Sequence, residues 1–269
     1  MEWFRRWIIE GYSARQLSRQ SGHSPAKLYR MINYNLEQTP PGSTLGLGQR
    51  QCFILDGTFL NRPRSLVALM DAQTNMVLAG QYGVSENSES QLSAFFGHLT
   101  QDGLRPLSFT VDGNPQVIKV LRKLWPGVII QRCLIHIQRQ GLVWCRRYPK
   151  TAYARKLRRI FLQVTKIHTR AERDQFLKSV DEWENTYSSK IADRLETGWV
   201  FSDIKRARSM LLRALPDMFH YLDDPRIPIS TNSLEGYFSR LKSHYRQHRG
   251  LSKQKRKNYF QWYFHFVPK

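Results

Sequence analysis

The order of apolar patterns between residues 51 and 131 restricts the fold of this chain more than any other feature of its sequence. Strand-like runs separated by turn residues come first, as in an antiparallel meander, and they cover residues 51–55, 65–70 and 76–84. Helices and strands then alternate over residues 89–101, 107–111, 115–125 and 128–131. This order predicts an α/β fold with helices on the faces of a sheet. We expect the fourth strand to lie beside the first.

The chain after these strands is predicted to be helical. Residues 134 to 224 show no convincing strand pattern, and apolar residues recur with helical spacing over residues 155–164, 170–187 and 204–222. Pro225 and Pro228 end this block, and Ser230 or Thr231 caps a further helix. The apolar stripe of that helix is Leu234, Phe238, Leu241 and Tyr245. We expect this helix to pack on the sheet, with Gly236 permitting a close approach.

The N-terminal residues predict three short helices with glycines between them, over residues 3–10, 14–20 and 25–35. A helix, a glycine-containing turn and a second helix form the helix-turn-helix motif, whose last helix enters the DNA major groove. Its candidate DNA contacts are Lys27, Arg30 and Asn33. The alternative is a three-helix packing cap with no DNA role. A proline-rich break at residues 39–43 opens a predicted linker.

The charge of the chain indicates a polyanionic partner. Its 42 Lys and Arg residues outnumber 21 Asp and Glu residues, which gives a net charge of +21. Nucleic acid is the leading partner because each phosphate contact releases counterions. Residues 139–159 carry eight basic residues, no acid and interleaved aromatics, so Arg146 and Arg147 are candidate DNA contacts. A solvated basic helix face is the alternative.

Cysteine content and hydropathy predict where the protein resides. Cys52, Cys133 and Cys145 are an odd and sparse set, which suits a reducing compartment better than a disulfide framework. No apolar run reaches the roughly 20 residues of a membrane span, and the N-terminus lacks a signal-peptide pattern. We therefore expect no membrane association and a protein that stays in the cytoplasm.

Three of the few acids of the chain are candidate metal ligands. Asp56 and Asp112 each follow an apolar run, and Glu235 is the last acid before a wholly basic tail. If the fourth strand lies beside the first, both aspartates come within reach of one site, and the returning helix could add Glu235. Hard carboxylate oxygens of this kind suit Mg²⁺, which also binds substrate phosphates. Two such ions could activate an attacking oxygen and stabilise a leaving oxygen during displacement at phosphorus.

Each acid also has an ordinary structural explanation. Asp-Gly after a strand is a common turn dipeptide, and it occurs at Asp56 and again at Asp112. Glu235 could be a solvated helix residue paired with a neighbour on the same helix. Only the combination of the three acids on a strongly basic chain favours catalysis.

Four blocks of sequence together resemble the DDE transposases of the Mutator-like superfamily, including related bacterial insertion-sequence enzymes. They are Leu-Asp-Gly-Thr at 55–58, Val-Asp-Gly-Asn at 111–114, Cys-Leu-Ile-His at 133–136 and Thr-Asn-Ser-Leu-Glu-Gly at 231–236. The spacing of the three acids agrees as well, because the long interval before Glu235 accommodates the helical insertion of such enzymes. The resemblance extends over most of the chain after residue 50.

The resemblance implies an RNase H-like catalytic core in which Asp56, Asp112 and Glu235 bind Mg²⁺, with Mn²⁺ able to substitute. Further residues are expected near this site, and they are Cys133, His136, Asn232 and His248. A zinc site at Cys133 and His136 is a weak alternative, since two ligands are not four. Arg249, beside His248, could bind a phosphate or be an exposed cation.

The predicted organisation has five parts. They are a helix-turn-helix DNA-binding module (1–38), a linker (39–50), a first part of an RNase H-like mixed sheet (51–133), an all-helical insertion (134–228) and the catalytic glutamate helix with a basic tail (229–269).

The function implied is that of a bacterial DNA transposase, a DDE-type polynucleotidyl transferase. It would bind terminal inverted repeats and cleave and join DNA strands as a homodimer or larger assembly on transposon ends and target DNA. Its substrates would be chromosomal or plasmid DNA. The alternatives are a domesticated DNA-binding protein without catalysis and an RNase H-like nuclease that does not transpose.

Overall fold

The computed structural model describes residues 1–41, 46–61, 64–192, 199–248 and 250–268. The strands are β1 (Cys52–Asn61), β2 (Arg64–Asp71), β3 (Val77–Tyr82), β4 (Ser108–Val111) and β5 (Ile129–Arg132). They form one mixed sheet in the order β3-β2-β1-β4-β5, which confirms the predicted meander and the predicted place of the fourth strand beside the first. Strands β1, β2 and β3 pair antiparallel, whereas β4 and β5 pair parallel. The mixed α/β class is therefore confirmed.

Helices make up most of the remaining described chain. They are α1 (Glu2–Glu10), α2 (Ala14–Ser21), α3 (Pro25–Glu37), α4 (Glu89–Gln101), α5 (Pro115–Leu124), α6 (Leu134–Cys145), α7 (Ala152–Gln163), α8 (Arg170–Ala192), α9 (Trp199–Ala214), α10 (Asn232–Tyr245) and α11 (Lys253–Phe266). None of the helices in the described ranges is long and apolar enough to cross a membrane.

The chain divides into two compact units. The first unit comprises residues 1–107, 114–128 and 231–269, and the second comprises residues 108–113 and 129–230. In the first unit, the N-terminal helices, one face of β1 and β2, and helices α10 and α11 share one hydrophobic core. In the second unit, helices α6 to α9 pack around a core of their own. The predicted division of the chain into five parts remains a prediction.

The short N-terminal helices form because their ends carry strong local signals. Ser13 and Gln16 make a capping box at the start of α2, and Ser24 caps α3 just before Pro25. Gly11 and Gly22 end α1 and α2 in the left-handed conformation that suits glycine. The three predicted helices are confirmed.

Helix α11 lies in the predicted basic tail, for which no helix was predicted. Its apolar residues Tyr259, Phe260, Trp262 and Tyr263 are buried. The indole Nε1 of Trp262 donates to the carbonyl oxygens of Asn35 (3.0 Å) and Gln38 (3.1 Å), beside the end of α3. The amide of Asn258 donates to the carbonyl oxygen of Leu36 (2.8 Å). Helix α11 thus joins the N-terminal helices to the core of the first unit.

The second unit confirms the helical block in the described residues after β5, with two changes. Helix α6 begins directly after Cys133, and its Gly141 is required because an added Cβ would lie 2.2 Å from a ring atom of Phe161. The helix predicted over residues 204–222 is instead α9 followed by two 3-10 turns, Leu215–Asp217 and His220–Leu222. Pro216 explains the break because it lacks the N–H that a continuous helix needs.

His248 is a buried aromatic contact and not a basic group. It is 5 % exposed, its ring centroid lies 3.9 Å from that of Trp7, and its Nε2 donates to the carbonyl oxygen of Trp7 (2.8 Å). Burial lowers the pKa of His248 to about 4. The side chain is therefore neutral near pH 7.

His248 should make the stability of the protein depend on pH. Its pKa in the folded protein lies below that in the unfolded chain, so the unfolded chain takes up a proton first on acidification. The contribution is present above pH ~6.5 and is lost as the pH falls toward about 4, by up to about 3 kcal/mol. We expect thermal unfolding scans to show a smaller drop across this window in His248→Gln than in the wild type. Equal drops would contradict the assignment.

Candidate functional site

Asp56 lies within β1, so the prediction that it ends its strand or forms a turn is wrong. It pairs with Ala68 of β2, and the strand continues through Gly57 and Thr58 because these residues pair with the long partner strand. Pairing along β2 has overridden the local turn preference of Asp-Gly. Asp56 is only 7 % exposed, and its Oδ1 accepts a hydrogen bond from the backbone N–H of Gly57 (2.8 Å).

Gly57 is required for close packing and not for a turn. An added Cβ at this position would lie 2.5 Å from the carboxylate carbon of Glu86. Successive side chains of a strand point to opposite faces, so Glu86 packs on the face of β1 opposite to Asp56. No sequence pattern indicates that this acid reaches β1.

Helix α10 packs against β1 and carries Glu235 in its first turn. The predicted stripe of Leu234, Phe238, Leu241 and Tyr245 is buried, and Tyr237 joins it. Glu235 is partly exposed, but its Oε1 is buried. An added Cβ at Gly236 would meet nothing within 4 Å, so the close approach expected there is wrong. The first unit thus holds Asp56 and Glu235 on two elements that pack together.

Lys242 is a site residue that the sequence reasoning missed. Its Nζ donates a hydrogen bond to Oγ1 of Thr58, which lies on the same face of β1 as Asp56. Burial and the charge of Arg246 lower the pKa of Lys242, and the carboxylate of Asp56 acts in the opposite direction. The available signal was helical periodicity, since Lys242 lies two turns after Glu235 on one helix face.

Asp112 follows β4 in the second unit, as predicted. Gly113 then turns the chain with a φ of 103°, a conformation that favours glycine. An added Cβ there would lie 1.9 Å from Nη2 of Arg132, and this Nη2 donates to the carbonyl oxygen of Asp112 (3.4 Å). Burial lowers the pKa of Arg132, while the carboxylates of Asp112 and Asp217 raise it. A buried arginine therefore supports the Asp112 turn.

Cys133 and His136 lie at the start of α6 in the second unit. Cys133 is buried, and its backbone N–H donates to the carbonyl oxygen of Val111 (2.8 Å), which places α6 directly after the β4–β5 pair. His136 lies in the first turn of the helix and is partly exposed. Within the described ranges, no three His, Cys, Asp or Glu side chains form a group that could hold a metal ion. The common metal site of Asp56, Asp112 and Glu235 remains a prediction.

The candidate DNA contacts differ in their surroundings. Lys27 and Arg30 are exposed on α3, and Asn33 is exposed but accepts a hydrogen bond from Nζ of Lys255 (2.8 Å). Two exposed tyrosines, Tyr29 and Tyr34, lie on the same helix. The surface of α3 is therefore basic and aromatic.

The predicted contacts of the second unit are exposed as well. Arg146 forms a 3.7 Å ion pair with Asp203, and the guanidinium of Arg147 lies 5.4 Å from the ring centroid of Tyr148. Tyr148 itself is 79 % exposed. Asn232 is exposed at the start of α10, whereas Arg249 lies outside the described residues.

The family comparison gives the class of the protein. The family described as Transposase, Mutator family, matches residues 70–248, which is more than half of the chain. This chain therefore belongs to the Mutator family of transposases. The match includes Asp112, Cys133, His136 and Glu235, whereas Asp56 lies before it. No curated protein matches the chain.

Proposed function

We propose that this protein is a DDE-type DNA transposase that cleaves and joins DNA strands with Asp56, Asp112 and Glu235 as its metal ligands. The observation that carries the proposal is the burial of Asp56 on the face of β1 against which the Glu235 helix packs, in a member of the Mutator family. The strand order, with three antiparallel strands and a parallel β4–β5 pair, supports an RNase H-like core.

The residues fit divalent metal ions in their chemistry. Carboxylate oxygens are the hard ligands that Mg²⁺ prefers, and Mn²⁺ accepts the same donors. Asp56 and one oxygen of Glu235 are buried, so little water competes for them. Bound Mg²⁺ would supply activation of the attacking oxygen and neutralisation of the leaving oxygen at phosphorus.

The protein groups would orient the DNA for this reaction. Asp56, Asp112 and Glu235 would fix the ligand geometry, and Arg132 would support the turn that holds Asp112. Lys242 lies beside the Asp56 face, where its charge would neutralise a phosphate of the reacting strand. Cys133 and His136 would line the start of α6 near Asp112. No covalent enzyme intermediate is needed.

DNA recognition is assigned to two basic surfaces. Helix α3 would enter the major groove of the transposon ends with Lys27, Arg30 and Asn33, and Arg146 and Arg147 would contact phosphates. Joining two ends in concert favours a dimer or larger assembly on DNA. Chromosomal or plasmid DNA as the substrate would place the protein in the bacterial cytoplasm.

The catalytic assignment is tested with three isosteric variants, Asp56→Asn, Asp112→Asn and Glu235→Gln. Each should lower Mg²⁺-dependent cleavage of DNA carrying both flanks of the gene by about 100-fold or more, because a metal ligand is lost. Binding of the same DNA should persist or strengthen slightly, since a negative charge near phosphate is removed. Gel assays of nicks, double-strand breaks and joined products, with gel shifts for binding, measure both quantities.

The matched control is Asp102→Asn, which removes an exposed acid at the end of α4. It should leave cleavage unchanged. Cleavage retained in any of the three site variants would contradict the assignment. Binding without cleavage in the wild type would instead support a domesticated DNA-binding protein, and cleavage without joined products would support a nuclease.

The role of α3 is tested with Arg30→Ala. Loss of a direct base contact should weaken binding of end-bearing DNA by about 10- to 100-fold, with a smaller effect on unrelated DNA. Lys178→Ala removes an exposed cation of α8 and serves as the control, with little change expected. Equal losses for end-bearing and unrelated DNA in Arg30→Ala would contradict readout by α3.

A further inference from the structure

The first unit contains a basic cavity near the end of β1, where Lys242 lines it from the Asp56 face and Phe59 from the opposite face. Its volume is about 570 Å³, and its lining includes Phe59, Lys242, Tyr245, Arg246 and Arg256. Pockets of 300–1,000 Å³ commonly hold small organic ligands, so this volume suits a single nucleotide. Lys242 connects the cavity to Thr58, which lies two residues after Asp56 on the same face of β1.

The charges of the cavity favour an anion. Three cations line it, no acid is among its lining residues, and none of the three forms an ion pair within the described part of the chain. Burial is the main cause of the lowered pKa of Lys242, the charge of Arg246 adds to it, and the carboxylate of Asp56 opposes both, so Lys242 and Arg246 repel each other. A phosphate in the cavity would remove this repulsion.

One arginine is already held in place for such a contact. The guanidinium of Arg256 donates to the hydroxyl of Tyr82 (3.3 Å) and to the carbonyl oxygen of Leu251 (3.1 Å). Fixing the side chain before binding reduces the rotamer entropy that a phosphate contact would otherwise cost. Arg246, in contrast, is exposed and follows directly after α10.

Phe59 adds an aromatic surface to the cavity. It lies on β1, on the face opposite to Asp56, and is 47 % exposed, so its ring is accessible from the cavity. A base stacked on an aromatic ring contributes about 1–3 kcal/mol and needs no particular sequence. A phenylalanine beside arginines thus matches both parts of a nucleotide, the base and the phosphate.

We infer that this cavity binds one unpaired nucleotide of a DNA strand, with its phosphate at Arg246 and Arg256 and its base stacked on Phe59. This inference rests on the proposed function, because it places the nucleotide next to the strand segment that carries Asp56. Unpaired nucleotides are expected next to a cut, where a strand end leaves the duplex. The cavity would hold that end while the strand is cleaved or joined.

The test is binding of a short oligothymidylate to the full chain without metal, measured by fluorescence anisotropy at several salt concentrations. Phe59→Leu keeps an apolar side chain but removes the ring, and should weaken binding about 10-fold with an unchanged salt slope. Phe59→Tyr keeps the ring and should bind as the wild type does. Arg246→Gln should weaken binding and reduce the salt slope by about 0.7.

Lys257→Gln is the matched control, because it removes an exposed cation of α11 outside the cavity lining. Wild-type affinity in Phe59→Leu would overturn the inference. Loss in Arg246→Gln together with no effect in Phe59→Leu would also overturn it, and would indicate an anion site that inorganic phosphate can fill.

The assay separates this inference from the proposed function. It needs no cleavage and leaves Asp56, Asp112 and Glu235 intact. If the cavity variants bind normally while the carboxylate variants lose cleavage, the cavity assignment alone fails. If the cavity variants lose binding but the wild type does not cleave DNA, the catalytic proposal alone fails.

Discussion

The packing of α10 on β1 is the interaction on which the rest of the first unit depends. Leu234, Phe238 and Leu241 are each no more than 3 % exposed, and burial of a large apolar side chain contributes about 1.5–3 kcal/mol. The hydrogen bond from Lys242 to Thr58 fixes the helix at the strand that carries Asp56. This packing also positions Glu235, which lies in the first turn of α10. It positions the basic cavity as well, because Lys242, Tyr245 and Arg246 of its lining lie at the end of α10 or directly after it.

The charge distribution connects this packing to nucleic acid. Several acids of the chain are used to pair with nearby cations, as Asp71 does with Arg50 (2.7 Å) and Glu89 with Lys119 (2.9 Å). The segment after Glu235 has no acids at all, and its cations therefore repel one another. An unfavourable arrangement of this kind is relieved when a polyanion binds. The same residues that weaken the isolated fold would thus strengthen the DNA complex.

The sequence predicted the meander of the first three strands, the fourth strand beside the first and the buried stripe of α10, because these depend on patterns repeated over many residues. It misplaced Asp56 because a local Asp-Gly signal is weaker than pairing with a long neighbouring strand. It missed α11 because four cations at the start of the helix obscure the buried aromatics that follow. No short sequence motif indicates the roles of Lys242 and Arg132 or the presence of the cavity, because all three depend on tertiary contacts. The basic composition around His248 does not indicate its neutral form, because burial is the main cause of its lowered pKa.

The central claim is that Asp56, Asp112 and Glu235 bind the same metal ions. Iron-directed cleavage tests it most directly, with Fe²⁺ replacing Mg²⁺ in the full chain on DNA and with ascorbate and peroxide generating hydroxyl radicals at the bound ion. A shared metal site predicts protein backbone cuts near all three residues, which Mg²⁺ suppresses by competition and which disappear together in Asp112→Asn. Cuts near Asp56 and Glu235 that persist in Asp112→Asn, or cuts near one residue alone, would contradict it.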